Sequence, residues 1–357
     1  MKKRILSLLM ALALCLSLLP TMAWATETHT NHNDIATAWE DSTKLPDAAG
    51  NWYLNTNVTL SETWNVPAGT SDEDVKITNL CLNGHVIKLD DGKTGSVIKV
   101  PQYATLNLYD CGSTPHYFEV DTDGLWKLTD ETNDTETVTG GVITGGTGEV
   151  NGEVKYGGGV YVAGTFNMNG GNIVGNKTTK ADGSAGGCGA GVYVNTGASF
   201  TMTGDSVISG NTCNNGAGVN STGTFTMSGN SKIAYNKGGC GGGVLSDGSF
   251  TMSGNSIIEY NEGTMWGGGV EVTNSGTFAM SGNSRITNNN GGIQGGGVYV
   301  SNGTFTMNGG SIVGNAANAF KGGSGGGVYV ASPGTFNMNT LSRTASASPT
   351  SRAAKQS

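Results

Sequence analysis

One repeat, with valine, phenylalanine, methionine and asparagine at fixed positions, runs through most of the chain and constrains its fold more than any other feature. At spacings of 32, 27, 25, 26, 28 and 30 residues, a Gly-Gly-(Gly/Ala)-Val-like segment ends in a valine: Val160, Val192, Val219, Val244, Val270, Val298 and Val328. A Phe-x-Met pair follows each valine. Repeats of this length indicate a solenoid, so we expect the 60 glycines of the 357-residue chain to belong to an ordered array.

Each repeat contains three short segments, of the forms G-V-x-V, T-F-T-M-S and S-x-I-x-x-N. Each alternates apolar and polar residues with the period of two of a half-buried strand. One turn buries five or six apolar side chains at roughly 1.5–3 kcal/mol each, whereas ordering about 25 residues costs about 1–2 kcal/mol per residue. A single turn is therefore unstable, and the sequence predicts an all-β solenoid whose strands pair with the next turn about 4.8 Å away.

The G-G-G-V, F-x-M and I-x-x-N motifs resemble those of the pectin-lyase-like right-handed parallel β-helix of secreted bacterial surface proteins, which include polymorphic outer-membrane adhesins. The segment Leu80–Ile87 is similar to the L-x-L-N-G-x-x-I strand that opens many such helices. The resemblance spans about residues 77–339 and implies the right-handed sense of the helix. It does not select an activity, because this fold carries lyases, hydrolases, adhesins and structural fibres alike.

The N-terminus has the pattern of a secretory signal peptide, predicted over residues 1–25. A basic start precedes an apolar run, and Ala23 and Ala25 form an A-x-A cleavage site. The protein is therefore expected to be secreted or displayed at the cell surface. No other stretch is apolar enough to span a membrane, so none is expected in the mature chain.

Four further regions are expected after the signal peptide. Residues 26–76, which contain three tryptophans, are predicted to form an N-terminal cap, because an open solenoid exposes strand edges. Residues 77–150 are predicted to form irregular first turns, with a polar loop-out at 111–138. Residues 151–339 form the regular turns, and residues 340–357 are expected to be a disordered or truncated tail.

The formal charge of −8 becomes −11 without the three basic residues of the signal peptide, since 16 Lys and Arg then face 27 Asp and Glu. Such a chain is a poor candidate for binding nucleic acid or anionic lipid.

Five cysteines remain after the signal peptide, and an odd number excludes complete internal pairing. Cys81 and Cys111 are expected to approach each other. Cys188 and Cys240, two turns apart, are too distant for a disulfide, while Cys213 between them is within reach of one neighbour.

The residue between the two valines of the first segment is predicted to point out of the core. In four turns this residue is a tyrosine: Tyr161, Tyr193, Tyr299 and Tyr329. Tyrosine rings suit the faces of saccharides, so this column is a candidate sugar-binding strip. The alternative is that tyrosine is simply favoured in strands. Asn220, Leu245 and Glu271 occupy the same position in the other turns.

An asparagine ends each repeat except the last: Asn176, Asn211, Asn236, Asn261, Asn289 and Asn315. Stacked amides can hydrogen-bond along the axis and satisfy buried turn groups, so we predict a structural ladder.

A second motif superficially matches the spacing of a calcium loop: Glu119, Asp121, Asp123 and Asp130. Glutamate in the first position and aspartate in the last favour a hairpin turn at Asp123 and Gly124 instead, and no metal site is predicted.

Polysaccharide-cleaving β-helices need clustered acids. Within the repeats only two pairs come close, Asp247 with Glu271 and Glu259 with Glu262. The sequence therefore favours a non-catalytic protein without a cofactor, which acts in adhesion or in glycan or surface binding through its repeated outer columns. A polysaccharide lyase or glycoside hydrolase is one alternative, and a structural stalk is the other. No oligomeric state follows from the sequence.

Overall fold

The structure is a computed structural model, and it describes residues 36–41, 43–318 and 322–339. Over these residues the chain is all-β and its parallel sheets stack into a solenoid of about ten turns, which confirms the predicted fold. No helix in the described ranges is long and apolar enough to cross a membrane. The predicted signal peptide and the tail at 340–357 lie outside the described residues, as does the start of the predicted cap.

Sheet A has eleven parallel strands, seven of which carry the Phe-x-Met pair. In stacking order they are Thr37–Trp39, Gly50–Leu54, Lys76–Cys81, Ala104–Tyr109, Thr165–Met168, Ser199–Met202, Thr224–Met227, Ser249–Met252, Thr277–Met280, Thr304–Met307 and Thr335–Met338. The register places Phe225 beside Phe250 and Met227 beside Met252. From Phe166 to Phe336 the phenylalanine rings stack at 4.6–5.0 Å between centroids. One phenylalanine per turn thus forms a continuous column inside the solenoid.

Sheets B and C have nine parallel strands each. Sheet B consists of Val58–Leu60, Val86–Leu89, Val142–Thr144, Asn172–Val174, Val207–Ser209, Lys232–Ala234, Ile257–Glu259, Arg285–Thr287 and Ser311–Val313. Sheet C consists of Trp64–Asn65, Ile98–Val100, Val160–Val162, Val192–Val194, Val219–Ser221, Val244–Ser246, Val270–Val272, Val298–Val300 and Val328–Val330. A regular turn runs from sheet C through sheet A to sheet B. A short sheet D then leads back to sheet C, with strands Lys237–Cys240, Glu262–Trp266, Asn290–Gly291 and Ala316–Ala317.

The inward side chains of sheets A, B and C form one hydrophobic core. At its N-terminal end Trp39 and Trp64 are buried, with ring centroids 5.0 Å apart. The region predicted as a separate cap already supplies strands to all three sheets, so the solenoid begins earlier than the sequence indicated. The reason is that these strands are too short and irregular to show the repeat, although they bury the same kinds of side chain.

The predicted loop-out at 111–138 is instead a folded antiparallel sheet, which we call the excursion sheet. Its strands are Pro115–Val120, Trp126–Thr129 and Glu136–Thr139. Phe118, Trp126 and Val138 pack on residues of sheet B in a second hydrophobic cluster. The segment is polar overall because only this one face is buried. A further hairpin pairs Glu149–Asn151 with Val154–Tyr156.

The six repeat-ending asparagines lie in one hydrogen-bonded ladder between sheets B and C. Asn211 donates from Nδ2 to Oδ1 of Asn236 at 2.9 Å, and Asn236 donates to Oδ1 of Asn261 at 3.0 Å. The Nδ2 group of Asn236 also donates to the carbonyls of Ile208 and Ala234. Each amide therefore joins two turns and satisfies backbone groups that the corner buries.

Candidate functional site

A groove of about 370 Å³ runs along the outer face of sheet C. Three columns line it, each built from one position of successive turns. They are Tyr156, Cys188, Asn215 and Cys240; Tyr193, Asn220, Leu245 and Glu271; and Thr222, Asp247 and Thr273, with Asn274 beside the last. We call it the carboxylate groove, because Asp247 and Glu271 are its two acids and none of its lining residues is basic.

The middle column is more covered than a free outer strip. Asn220, Leu245 and Glu271 point away from the core, yet only 5–6% of each is exposed. The glycine four residues before each of them has a positive φ, which is +58° at Gly267. A Cβ there would lie 2.9 Å from Cβ of Glu271. The chain therefore folds back tightly at this glycine, and the preceding segment forms a wall over the column. The residues between the valines therefore point out of the core, as predicted, but lie covered by this wall.

Burial controls the acid chemistry of the groove. It raises the pKa of Glu271 to about 8, with a further rise from the charge of Asp247 and an opposing hydrogen bond with the Cys240 thiol. Burial also raises the pKa of Asp247, against a hydrogen bond with Asn274. Oε2 of Glu271 and Oδ1 of Asp247 are buried without a hydrogen-bond partner. Burial therefore favours the neutral form of Glu271 at pH 7, and each acid keeps one carboxyl oxygen that is closed off from solvent and has no hydrogen-bond partner within the protein.

The four predicted tyrosines form two pairs at opposite ends of this strip and not one continuous column. Tyr161 and Tyr193 have ring centroids 5.6 Å apart, and Tyr299 and Tyr329 have centroids 5.7 Å apart. Three turns without an aromatic ring separate the pairs, and Glu271 is the immediate neighbour of Tyr299 in the sheet. The acids therefore lie between two aromatic platforms.

Two aromatic residues of this face did not stand out in the sequence. Tyr156 meets Tyr193 edge-on at 4.8 Å between centroids, and Trp266 stacks on Tyr299 at 5.8 Å. Both lie four residues before the first valine of their repeat, where Cys188 also lies. Alignment of the repeats at that position is the signal that could have identified them.

The acidic motif near the excursion sheet forms a hairpin turn. Asp121 accepts hydrogen bonds from the backbone amides of Asp123 and Leu125, and its carboxylate lies 3.1 Å from Nζ of Lys127. Glu119 pairs with Lys127 within the excursion sheet, and Asp130 follows that sheet's second strand. No cluster of three or more His, Cys, Asp or Glu side chains suited to a metal occurs among the described residues.

The five cysteines of the described chain form no disulfide. Sγ of Cys81 lies 3.1 Å from Sγ of Cys111, so these two residues meet as expected. Their hydrogen bond, together with burial, raises the pKa of Cys81. Cys213 donates to the carbonyl of Asn215 at 3.2 Å, and burial raises its pKa to about 12. Its thiol is therefore an internal hydrogen-bond donor.

Comparison of the chain with protein-family models, with curated proteins and with solved structures finds no significant match.

Proposed function

We propose that this protein is a non-catalytic secreted or cell-surface β-helix of the right-handed, pectin-lyase-like class, and that it binds glycan chains along the carboxylate groove. The observation that carries the proposal is the pair of carboxyl groups, Glu271 and Asp247, that line the groove between two aromatic platforms. Aromatic rings stack on the apolar faces of sugars. Sugar hydroxyls donate and accept hydrogen bonds, as carboxyl and amide groups on a groove wall require.

The chemistry of the groove favours a neutral or amine-bearing glycan. No base lines it, so the groove offers no positive charge to the carboxylates of a uronate polymer. Tyr193 and Tyr299 are four strand spacings apart, so the two platforms lie about 19 Å apart along the axis, which suits a linear chain lying parallel to it. Weak contacts repeated along such a chain give useful avidity.

Glycan-array and cell-binding screens of the secreted protein test this proposal. Glu271→Leu keeps most of the volume of the side chain but removes the whole carboxyl group, and should weaken binding of a neutral glycan, because a neutral Glu271 both donates and accepts hydrogen bonds. Replacement of the four predicted tyrosines by serine should weaken it further. Binding that neither change alters would show that the groove is not the binding site, and absence of all glycan and surface binding would favour the structural stalk.

Polysaccharide cleavage is the second candidate, favoured by one observation. Glu271 is protonated at neutral pH beside a second carboxyl group, and a general acid next to a carboxylate is the pairing that glycoside hydrolysis uses. Release of new reducing ends or of unsaturated uronates from neutral and uronate polymers distinguishes it from binding alone. Cleavage that is lost in both Glu271→Gln and Asp247→Asn would replace the binding proposal with an enzymatic one.

A further inference from the structure

A second cavity, of about 540 Å³, lies on the outer face of sheet B where the excursion sheet ends. Trp126 and residues 136–139 of the excursion sheet bound one end. The corner at Gly204 and Asp205 forms one side, and the turn from Lys232 to Tyr235 forms the floor and the other side. The excursion sheet packs on the earlier strands of sheet B, so it bounds the cavity at that end, and Tyr235 is the last residue of the lining along the chain.

Two exposed tyrosines extend the aromatic side of this cavity. Tyr235 packs against Trp126 with ring centroids 5.6 Å apart and ring planes tilted by 32°, and Tyr260 of the next turn stacks on Tyr235 at 5.2 Å with ring planes 5° apart. Each tyrosine is 46% exposed. Trp126 is 7% exposed, so it anchors the stack while the tyrosines face solvent.

The backbone at these tyrosines is strained. Both lie directly before a ladder asparagine, with φ of +57° at Tyr235 and +53° at Tyr260. The same corner holds a glycine at positive φ in three other turns: Gly175, Gly210 and Gly314. A bulky side chain in the left-handed region is unfavourable. Packing on Trp126 accounts for a ring at 235, but Tyr260 contacts only Tyr235 among aromatic residues. Strained residues of this kind cluster at ligand-binding sites.

The opposite side of the same face carries a row of exposed amides. Asn230 donates to Oδ1 of Asp205 at 3.0 Å, and Asn255 donates to Oδ1 of Asn230 at 3.2 Å. A three-residue strand, about 10 Å long, separates this row from the tyrosines. Between them Lys232 and Glu259 form an ion pair at 3.0 Å. The face thus combines flat rings with hydrogen-bonding groups at their sides.

The charge of the cavity selects among ligands. Its lining contains Asp110, Glu136 and Asp205 but only one base, Lys232, and Lys232 is neutralised by Glu259. A polyanion is therefore disfavoured. Stacked aromatic rings beside amides and carboxylates fit the pyranose rings of an uncharged sugar.

We propose that Tyr235 and Tyr260, with the amide row and the end that the excursion sheet bounds, form a second glycan site that takes the terminal sugars of a neutral oligosaccharide. The site stands apart from the carboxylate groove, because it lies on sheet B and shares no lining residue with it. A chain with sites on two faces can bridge two glycan strands.

Calorimetric titration of the full chain with cellohexaose, mannohexaose and xylohexaose tests the proposal, with hexagalacturonate as the anionic probe. The test variant is Tyr235→Gly with Tyr260→Gly, which keeps the left-handed corner that glycine occupies in other turns. Asn288→Gly, at the same corner of the following turn (φ +56°), is the matched control.

We expect at least one neutral hexasaccharide to lose one binding equivalent per chain, or at least tenfold in affinity, in the double glycine variant and not in Asn288→Gly. Tyr260→Asn should reproduce part of the loss. The groove variant Glu271→Leu should leave this binding equivalent intact. Loss of binding at the carboxylate groove can therefore be distinguished from loss of binding at the sheet B site. Unchanged neutral binding in the double variant, no neutral binding by the parent chain, or preference for hexagalacturonate would each overturn the proposal.

Discussion

Glu271 and Asp247 lie on adjacent turns of one groove, and each keeps a buried carboxyl oxygen without a hydrogen-bond partner. The charge of Asp247 adds to the effect of burial on the pKa of Glu271. Buried acceptors without donors reduce the stability of the free protein.

The raised pKa of Glu271 makes stability depend on pH. The folded side chain holds its proton up to about pH 8, whereas the unfolded one loses it above about pH 4.3. The unfolded state therefore binds fewer protons between these values, and the free energy of unfolding falls as pH rises, by at most about 1.4 kcal/mol per pH unit. Glu271→Gln should remove this contribution. In urea denaturation the free energy of unfolding of the variant, relative to that of the parent, should therefore increase from pH 5 to pH 8. The exposed change Glu153→Gln is the control. Parallel curves for Glu271→Gln and the parent would refute the assigned pKa.

The asparagine ladder should dominate the stability of the regular turns. Asn236→Ala removes the acceptor of the Asn211 amide and backbone N–H, and the donor to two buried carbonyls. Since each unsatisfied group costs about 1–3 kcal/mol, we expect a loss of at least about 3 kcal/mol. Asn255→Ala, in the exposed amide row, should cost under about 1 kcal/mol. Equal losses in chemical denaturation would show that the buried ladder has no special role.

One of the contacts between the excursion sheet and the solenoid is the close approach of the Trp126 ring to Gly210. A Cβ at Gly210 would lie 2.2 Å from the Trp126 ring, and Gly210 has a φ of +62°. Gly197→Ala introduces only backbone strain, because φ is +82° and no atom lies within 4 Å, and should cost about 1–2 kcal/mol. Gly210→Ala should cost about 1–3 kcal/mol more, through overpacking. Denaturation midpoints measure the difference in stability between Gly210→Ala and Gly197→Ala. In a Trp126→Ala background this difference should disappear. Equal losses of stability in Gly197→Ala and Gly210→Ala would contradict the close packing of the Trp126 ring on Gly210.

Cys81 and Cys111 should form a disulfide under mild oxidation. Their sulfur atoms are 3.1 Å apart, and 30 residues separate them along the chain. Closing such a loop stabilises the folded state by about 3–4 kcal/mol in the chain-entropy model. Peptide mapping of the oxidised protein without reduction should recover this one cross-link. Recovery of a cross-link between Cys188 and Cys240 instead would contradict the predicted separation of two turns.

The stacking of the solenoid could be predicted because one Phe-x-Met pair and one asparagine recur per turn. Their period alone places Phe225 beside Phe250. The covering of Glu271 could not be predicted in this way. It depends on which glycine of a Gly-Gly-Gly run takes a positive φ, and all three are identical in sequence. No feature of the sequence therefore distinguishes Gly267, where the chain folds back, from the two glycines that follow it.

The excursion sheet escaped prediction because its strands pair with one another and not with the repeat. An alternation was nevertheless present, since His116 and Phe118 are buried on one face of their strand while Tyr117 and Glu119 are not. Likewise, Tyr235 and Tyr260 occupy a corner where three of the six turns that end in a ladder asparagine have glycine. Aligning the repeats at the residue before the ladder asparagine would have revealed them.

The position of a bound oligosaccharide tests the central claim most directly. In a crystal structure of the protein with the neutral oligosaccharide that binds best, the account predicts sugar density in the carboxylate groove. A sugar ring should stack on Tyr193 or Tyr299, and its hydroxyls should lie against the polar groove wall that contains Asp247 and Glu271. A groove that stays empty while the ligand occupies the outer face of sheet A would contradict the account.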